Sequence, residues 1–397
     1  MKFPKTTLLL ILLLLFFCVV LGYNYVWRPF AGSMVATESQ EDQATTAGEL
    51  TAVQPSRRWQ LTNLTPEQKV GQLLMVPFEL NQSNASDEAK LQQWLTLEPG
   101  GLVLFGKSIS AIEAKRFSTM LNQSSAPDSI STILAVDHEG GDVQRLAGNG
   151  FSILPSAREL CKQTEEIRVA ELDQSAQELS LAGIHMIFGP VLDVSSRSGV
   201  LKSRVCSGDP TLVGQYGKEF VTAFSNHGIV SVLKHYPGIG SITRDLHTSF
   251  DQQMVLAKDV LPFKSILDAF PTIGVMVSHM GVVNQIPDLP CSLSADCIEQ
   301  LTITNPQALV ISDSLTMKAA TYDGETNTYT RTLESEALSA VYAGNQILLF
   351  GPETTPAELQ KVKSALVAQY AVDPSFAKQV DSAVERILDA KEFQIFK

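Results

Sequence analysis

The feature that most constrains the fold is a series of short apolar runs that recur along most of the chain. Each run has four or five residues, is rich in Val, Ile and Leu, and shows no strict alternation of apolar and polar positions. The runs are Leu102–Phe105, Ile133–Val136, Ile184–Phe188, Val230–Leu233, Ile273–Val277, Ala308–Ile311 and Ile347–Phe350. Such runs are typical of strands that are buried on both faces, as in a parallel sheet.

Stretches with a helical pattern separate these runs. The predicted helices are Ser110–Leu121, Glu166–Ala182, Pro210–Asn226, Asp259–Ala269 and Thr330–Ala343. Alternation of strands and helices predicts an α/β domain. Because seven or eight such units fill about 340 residues without an internal boundary, we predict one (β/α)8 barrel over 58–397 rather than two smaller domains.

The N-terminus has a different character. Lys2 and Lys5 precede an apolar run over 8–21, and no charged side chain occurs over 6–27. As a helix at ~1.5 Å per residue this uncharged stretch is roughly 33 Å long, enough to cross a bilayer. We therefore predict a transmembrane signal-anchor helix over 1–28. The positive end should stay in the cytoplasm, which puts the rest of the chain outside the cell membrane.

A cleaved signal peptide, with a secreted product, is the alternative interpretation of the same run. The better cleavage sequence, Ala-Gly-Ser at 31–33, lies far beyond the apolar run, which favours the anchor. The segment 29–57 is polar and has almost nothing to bury, so we predict a flexible linker there.

The charge balance limits the class of partner. The chain has 42 acidic and 30 basic side chains, a formal net charge of −12, whereas nucleic-acid binding needs a basic face. We expect no metal, because no ligand spacing typical of a metal site occurs. Apart from Cys18, four cysteines allow three disulfide connectivities in an exported domain, and the last two are close enough to close a small loop. These are Cys161, Cys206, Cys291 and Cys297.

Polar and ionisable side chains follow six of the apolar runs. They are Lys107, Asp137 with Glu139, Asp193, Lys234 with His235, His279 and Asp313. In a parallel barrel the carboxyl ends of the strands form the active-site rim, so this set predicts acid–base chemistry on a polar substrate. We expect Glu139 and Asp193 to orient neighbouring groups. His279 lies either in the site or behind it.

Two local features point to glycoside chemistry. Asp313 ends an apolar run that would deliver its carboxylate to the rim, as a nucleophile requires. Asp245 and His247 lie two residues apart in a Gly-rich loop, so their side chains face the same side when the loop is extended. The carboxylate could then fix the tautomer of the imidazole and form a proton shuttle with it.

The segment around this pair contains a longer motif. Residues 234–240 read Lys-His-Tyr-Pro-Gly-Ile-Gly and are followed by Asp245-x-His247. This resembles the Lys-His-Phe-Pro-Gly-His-Gly…Asp-x-His signature of glycoside hydrolase family 3, in its single-domain β-N-acetylglucosaminidase form. Four further blocks are similar to family blocks in the same order, so that the resemblance spans about 60–397. They are 135–145, 188–193, 204–210 and 311–317.

The resemblance implies a function and a role for each matched residue. Asp313 matches the nucleophile, His247 the acid/base and Asp245 its partner. The residues matched to the terminal N-acetylglucosamine are Asp137, Arg145, Arg204, Lys234 and His235. The implied enzyme is a retaining exo-β-N-acetylglucosaminidase, a monomer without cofactor, acting on cell-wall peptidoglycan fragments.

Six positions depart from the family pattern. They are Asp142, Ile239, Ser241, Leu246, Ser314 and Gln346. None of them replaces a matched catalytic residue, but they keep three other functions open: a β-glucosidase, a phosphorylase, and a wall-glycan-binding protein without turnover. A β-glucosidase of this family usually carries a further sandwich domain and lacks the Asp-x-His pair.

Overall fold

The computed structural model describes residues 59–80, 84–124, 129–197, 199–284 and 289–395. The predicted anchor over 1–28 and linker over 29–57 lie outside the described residues. Among the helices that the structure does describe, none is both long and apolar enough to span a membrane.

Eight parallel strands form a nearly closed barrel, which confirms the predicted fold. They are β1 (Leu74–Glu79), β2 (Gly101–Phe105), β3 (Ile133–Gly140), β4 (Met186–Val191), β5 (Val230–Tyr236), β6 (Gly274–Val277), β7 (Leu309–Ser312) and β8 (Leu348–Leu349). Each strand from β1 to β6 pairs with its successor, and β8 pairs with β1. A parallel bridge between Ile311 and Ile347 brings β7 and β8 together. The Ser312 N–H donates to the Ile347 carbonyl at 3.0 Å beside it.

Strand β1 is missing from the predicted runs. Its sequence contains Pro77, which has no backbone N–H to donate and is uncommon inside a central strand. The proline nevertheless pairs in register with Val103 of β2. Every residue of β1 except Glu79 is buried, so packing in the core outweighs the lost donor.

Ten helices of seven or more residues accompany the strands in the described part of the chain. They are α1 (Pro66–Gln72), α2 (Asn84–Leu95), α3 (Ala111–Ser124), α4 (Glu165–Ala182), α5 (Pro210–Asn226), α6 (Ala257–Leu267), α7 (Ala295–Thr304), α8 (Leu333–Ala343), α9 (Pro356–Val372) and α10 (Pro374–Ala390). The five predicted helices are confirmed, with ends that shift by at most three residues. Shorter helical turns include Ala157–Leu160, Lys202–Arg204, Cys291–Leu293 and Lys318–Thr321.

Local sequence explains where the helices begin. The Thr65 side chain accepts a hydrogen bond from the Gln68 N–H, and the Gln68 side chain accepts one from the Thr65 N–H. Pro66 occupies the first helical position of α1. This reciprocal capping satisfies backbone donors that have no partner inside the helix. Asp209 and Pro210 begin α5 in a similar way, since the Asp209 carboxylate accepts from the Thr211 N–H.

The four cysteines outside the N-terminal run form two disulfide bonds. Cys161 pairs with Cys206, and Cys291 pairs with Cys297. The second bond closes the small loop that the spacing allowed. The first joins the segment before α4 to the segment that carries Arg204, and the sequence had left this pairing open.

Candidate active site

A cavity of about 580 Å³ lies at the carboxyl ends of the barrel strands. All eight predicted site residues line it: Asp137, Arg145, Arg204, Lys234, His235, Asp245, His247 and Asp313. The barrel brings these side chains together because every parallel strand ends at the same rim.

Glu139 joins two cations within this cavity. Its carboxylate lies 2.6 Å from the Lys234 Nζ and accepts from the Arg204 Nε at 2.7 Å. Lys234 also donates to the Asp137 carboxylate at 2.9 Å. Burial would raise the pKa of the Glu139 carboxyl, but Lys234 and Arg204 outweigh it and hold that pKa well below its usual range. Glu139 therefore orients other groups, as the sequence indicated, and stays ionised.

The two cations are stabilised in their charged forms. Burial would lower the pKa of Lys234 and of Arg204, but the carboxylates of Asp137 and Glu139 more than compensate and raise both pKa values. The cavity therefore contains charged groups whose hydrogen-bond donors and acceptors are held in place before a ligand binds. Charged donors and acceptors make the stronger hydrogen bonds, which suits a ligand with many hydroxyl groups.

His235 is locked in one tautomer. Its Nε2 lies 3.2 Å from the Arg204 Nη2, which can only donate, so the ring proton is on Nδ1. That Nδ1–H donates to Asp193 at 2.8 Å. The second Asp193 oxygen accepts from the Ile239 N–H at 2.7 Å. Asp193 is fully buried, so it braces His235 and the following loop rather than contacting a ligand.

Arg145 has spare hydrogen-bonding capacity. Its guanidinium lies over the Phe105 ring, 5.8 Å from the centroid. Among the described residues its buried Nε has no hydrogen-bond partner. A guanidinium held by stacking, with donors free, can bind an oxygen-rich ligand.

Asp313 follows β7 and faces the cavity. Its backbone N–H donates to the Val277 carbonyl at 2.9 Å, and its carboxylate accepts from the Ser314 N–H at 2.8 Å. Burial would raise the pKa of the Asp313 carboxyl, but the imidazoles of His279 and His235 and this hydrogen bond hold it below its ordinary value. The carboxylate is therefore ionised at neutral pH, as a nucleophile must be.

His279 lies behind the cavity, which decides between the two positions left open by the sequence. Its Nε2 donates to the Ser314 carbonyl at 2.8 Å, and its Nδ1 lies 2.6 Å from the Ser292 hydroxyl. Burial lowers the pKa of His279 below its ordinary value. In this position His279 fixes the backbone next to Asp313.

Asp245 and His247 form a hydrogen-bonded dyad on the loop after β5. The Asp245 Oδ1 lies 2.8 Å from the His247 Nδ1 and also accepts the His247 backbone N–H at 2.9 Å. Although burial alone would raise the pKa of Asp245, these hydrogen bonds lower it. Because the carboxylate occupies Nδ1, Nε2 remains available to exchange a proton with a ligand.

The loop needs glycine where it leaves the barrel. A Cβ atom on Gly240 would lie 2.1 Å from the Val194 carbonyl oxygen, closer than any side chain permits. Gly238 has a φ of +112°, a conformation that L side chains rarely adopt. The Pro-Gly-x-Gly part of the motif therefore has a steric reason.

The departures from the family pattern occupy defined positions. Ile239 and Leu246 are buried among other apolar side chains. The Ser314 hydroxyl lies 2.9 Å from the Thr316 hydroxyl, and the Gln346 side chain accepts from the Val310 N–H at 2.8 Å. The last two contacts keep the substituted polar groups paired.

Sequence reasoning missed two carboxylates that line the cavity. Glu79 ends β1, the strand that was not recognised, and Glu353 lies just beyond β8. The rule that found the other rim residues, taking the polar side chain after each strand, would have found Glu79 once β1 was known. The apolar residues of the wall, such as Ile242 and Met317, carry no such signal.

A second cavity, of about 440 Å³, lies beside α1. The Gln68 side chain donates to the Glu98 carboxylate at 3.1 Å, and the Gln72 side chain donates to the Glu98 carbonyl at 3.0 Å. These polar groups already satisfy one another, so this cavity offers little for catalysis. In the described part of the chain, no group of three or more His, Cys, Asp or Glu side chains is arranged to hold a metal ion.

Comparison with known proteins agrees with this geometry. The model of the glycosyl hydrolase family 3 N-terminal domain matches residues 65–390. The chain belongs to this family. It is a glycoside hydrolase of the β-N-acetylhexosaminidase type.

Relatives and solved structures are consistent with the assignment. A β-hexosaminidase of Idiomarina loihiensis is 29% identical over 298 residues, which cover 68% of this chain and 86% of that protein. One from Hydrogenovibrio crunogenus is 32% identical over 57% of this chain and 67% of its own length. The crystal structure of a β-N-acetylhexosaminidase from Beutenbergia cavernae has a TM-score of 0.72 and 25% identity, covering 83% of this chain and 98% of that one.

Proposed function

We propose that the protein is a retaining exo-β-N-acetylglucosaminidase that removes terminal β-linked N-acetylglucosamine from cell-wall glycan fragments. The observation that carries the proposal is one cavity lined by an ionised Asp313 and by the Asp245–His247 dyad. A nucleophile and a separate proton donor are the two groups that a retaining glycosidase requires.

In the first step the Asp313 carboxylate forms a bond to the anomeric carbon. The bond from that carbon to the leaving oxygen breaks, its electron pair stays on the oxygen, and His247 gives its proton to that oxygen. In the second step His247 takes a proton from water, whose oxygen bonds to the anomeric carbon and releases Asp313 as a carboxylate. Two displacements at one carbon give net retention. Asp245 stabilises the imidazolium form of His247 before transfer and after the water step.

The buried polar network supplies sugar recognition in this proposal. Asp137 and Lys234 lie side by side in the cavity and can contact adjacent hydroxyl groups, and Arg145 contributes its unpaired Nε donor. His235 and Arg204 complete the same wall. These groups are held by one another, so they require little reorganisation when the sugar binds.

The cellular location is part of the proposal. The positively flanked apolar run over 8–21 supports an anchor in the cell membrane, with the barrel on the outer side. Two disulfide bonds support an oxidising compartment. A barrel held there would lie next to wall glycan, which contains β-linked N-acetylglucosamine.

The test is hydrolysis of a chromogenic N-acetyl-β-glucosaminide by the full chain, with the matching β-glucoside as control. We expect a clear preference for the N-acetyl sugar, β-configured sugar as the first product by NMR, and a rate that phosphate does not change. Faster turnover of the glucoside would favour a β-glucosidase, and release of sugar phosphate would favour a phosphorylase. Folded protein that binds N-acetylglucosamine but turns over neither substrate would favour a glycan-binding protein.

A further inference from the structure

We propose that Leu246 is a positioning residue for proton transfer, because its buried side chain fixes the Asp245–His247 dyad relative to the nucleophile. This inference rests on the proposed function, in which His247 is the acid/base. Leu246 departs from the family pattern, and its packing gives a physical reason for an apolar side chain at this position.

The dyad is not held by its own side chains. The exposed fractions of the His247 and Asp245 side chains are 68% and 55%. Within the described part of the chain, the hydrogen bonds of these two side chains stay inside the loop, between the two residues themselves. Something else must therefore determine where the imidazole lies relative to Asp313.

Leu246 is buried, unlike its two exposed neighbours in sequence. Only 3% of its surface is exposed. It packs in a small apolar cluster, separate from the main core, which we call the apolar clamp. The apolar clamp consists of Leu201, Val205, Ile239, Ile242, Leu246, Met280, Met317 and Ala319. Its members come from the loops after β4, β5, β6 and β7, so the cluster joins four loops at the rim.

Backbone hydrogen bonds also connect the dyad loop to the segment after β7. The Ala319 N–H donates to the Leu246 carbonyl at 3.0 Å, and the Lys318 N–H lies 3.4 Å from the His247 carbonyl oxygen. Ala319 and Lys318 lie a few residues beyond Asp313 on the same segment. The dyad loop is thus attached to the segment that carries the nucleophile.

The base of the loop is fixed by polar contacts that do not reach the dyad. Asp251 accepts from the Thr243 N–H at 2.7 Å and from the Arg244 N–H at 2.9 Å. The Gln253 side chain accepts from the Ser241 N–H at 3.0 Å. These contacts shape the loop, while Leu246, between the two dyad residues, packs its tip against the neighbouring loops of the apolar clamp.

A positioning role differs measurably from a purely structural one. The acid is needed most when the leaving group is a poor one, because an activated phenolate departs without a proton. A displaced His247 therefore slows substrates in proportion to the pKa of the leaving group. A structural loss that merely reduces the amount of folded enzyme slows all substrates equally.

The experiment compares the full chain with Leu246→Ala on a series of aryl N-acetyl-β-glucosaminides. We expect kcat/KM to fall roughly 10- to 100-fold for the poorest leaving groups and less than about 3-fold for dinitrophenyl, a part of the ~10²–10⁴-fold effect of general acid catalysis. Leu246→Met, which keeps an apolar side chain of similar volume, should restore most of the loss. His247→Ala provides the full effect for reference.

Two further variants keep the test decisive. Met317→Ala removes another side chain of the apolar clamp, from the loop after β7, and should produce the same dependence on the leaving group if Leu246→Ala does not fold. Leu301→Ala, a buried leucine of α7 in the main core, is the matched control and should slow all substrates alike or none. An equal loss across the series for Leu246→Ala and Met317→Ala, or no loss, would overturn the inference. Absence of turnover by the wild-type chain would instead overturn the proposed function, and this inference with it.

Discussion

Two parts of the same cavity are built in different ways. The network around Glu139 is largely buried, is built mainly on the barrel strands, and is held by ion pairs between carboxylates and cations. The dyad of Asp245 and His247 is exposed, lies on a loop, and depends on apolar packing by the residue between them.

The difference follows from what each part must do. A recognition surface works best when its charges are fixed before the ligand arrives, and opposite charges in a buried network achieve this. A proton-transfer residue must reach both the leaving group and water, so its side chain cannot be buried in ion pairs. Apolar packing of Leu246 positions the loop without adding charges next to His247. One rim can therefore combine a network of fixed charges with a proton-transfer group that is open to solvent.

The largest effect is expected at Asp313, the proposed nucleophile, which directly follows strand β7 and so belongs to the strand-held part of the cavity. Asp313→Ala should reduce kcat by roughly 10³-fold or more for good and poor leaving groups alike, because no covalent intermediate can form. Kinetics with the aryl series would measure this. Retained binding of N-acetylglucosamine would show that the variant is folded, and appreciable activity in it would exclude Asp313 as the nucleophile.

The buried network should be sensitive to loss of a single charge. Glu139→Gln leaves Lys234 and Arg204 without their shared counter-ion. We expect it to cost roughly 3–5 kcal/mol of the free energy of unfolding and to weaken N-acetylglucosamine binding by about tenfold or more. Urea unfolding and calorimetric titration would measure both. Asp142→Asn, at an exposed acid on the same segment, is the control. Equal losses of stability and binding in the two variants would show that the buried charge of Glu139 has no special importance.

The disulfide next to Arg204 should affect binding as well as stability. Cys161 and Cys206 are separated by 45 residues. Replacing both by Ser should cost at most roughly 4 kcal/mol and raise KM a few-fold through displacement of Arg204, with little change in kcat. The matched pair Cys291→Ser and Cys297→Ser, with a separation of 6 residues, should cost about 2 kcal/mol and leave KM unchanged. An unaltered KM in the first variant would show that the disulfide does not position Arg204.

The smallest effect on activity is expected at a buried acid outside the cavity lining. Glu336 of α8 is buried, its Oε1 has no partner among the described residues, and burial raises its pKa to about 8, an effect that Arg331 only partly offsets. An acid whose pKa is higher in the folded state contributes stability below its unfolded pKa of about 4.3 and loses that contribution as the pH rises through about 8. Glu336→Gln should remove this dependence.

Urea unfolding at pH 5 and pH 9 would measure the difference. Between these values the wild type should lose up to roughly 4 kcal/mol relative to Glu336→Gln, at ~1.4 kcal/mol for each unit of pH between 5 and the folded pKa. Parallel pH profiles for the two proteins would show that Glu336 ionises normally. Activity at pH 7 should differ little, because the carboxyl is mostly protonated there and glutamine has a similar shape.

Much of the fold could be predicted from local sequence because the barrel repeats one pattern. Seven strands and five helices were anticipated, since a doubly buried strand must be apolar throughout and a covering helix must be amphipathic. Strand β1 was missed because Pro77 interrupts its run, and Glu79 was missed with it. The eight predicted site residues line one cavity because strand ends meet at one rim, whereas their catalytic roles remain predictions for the experiments above.

Local sequence is enough to recognise the alternation of strands and helices, the polar residues at strand ends and the Asp-x-His spacing, because each depends on residues close together in the chain. Other features follow only from the folded chain: Glu139 joins Lys234 to Arg204, His279 lies behind Asp313, and Cys161 pairs with Cys206. The fold also packs Leu246 with residues from three other loops. These partnerships join residues that are remote in sequence, and their choice depends on where the loops of different strands meet.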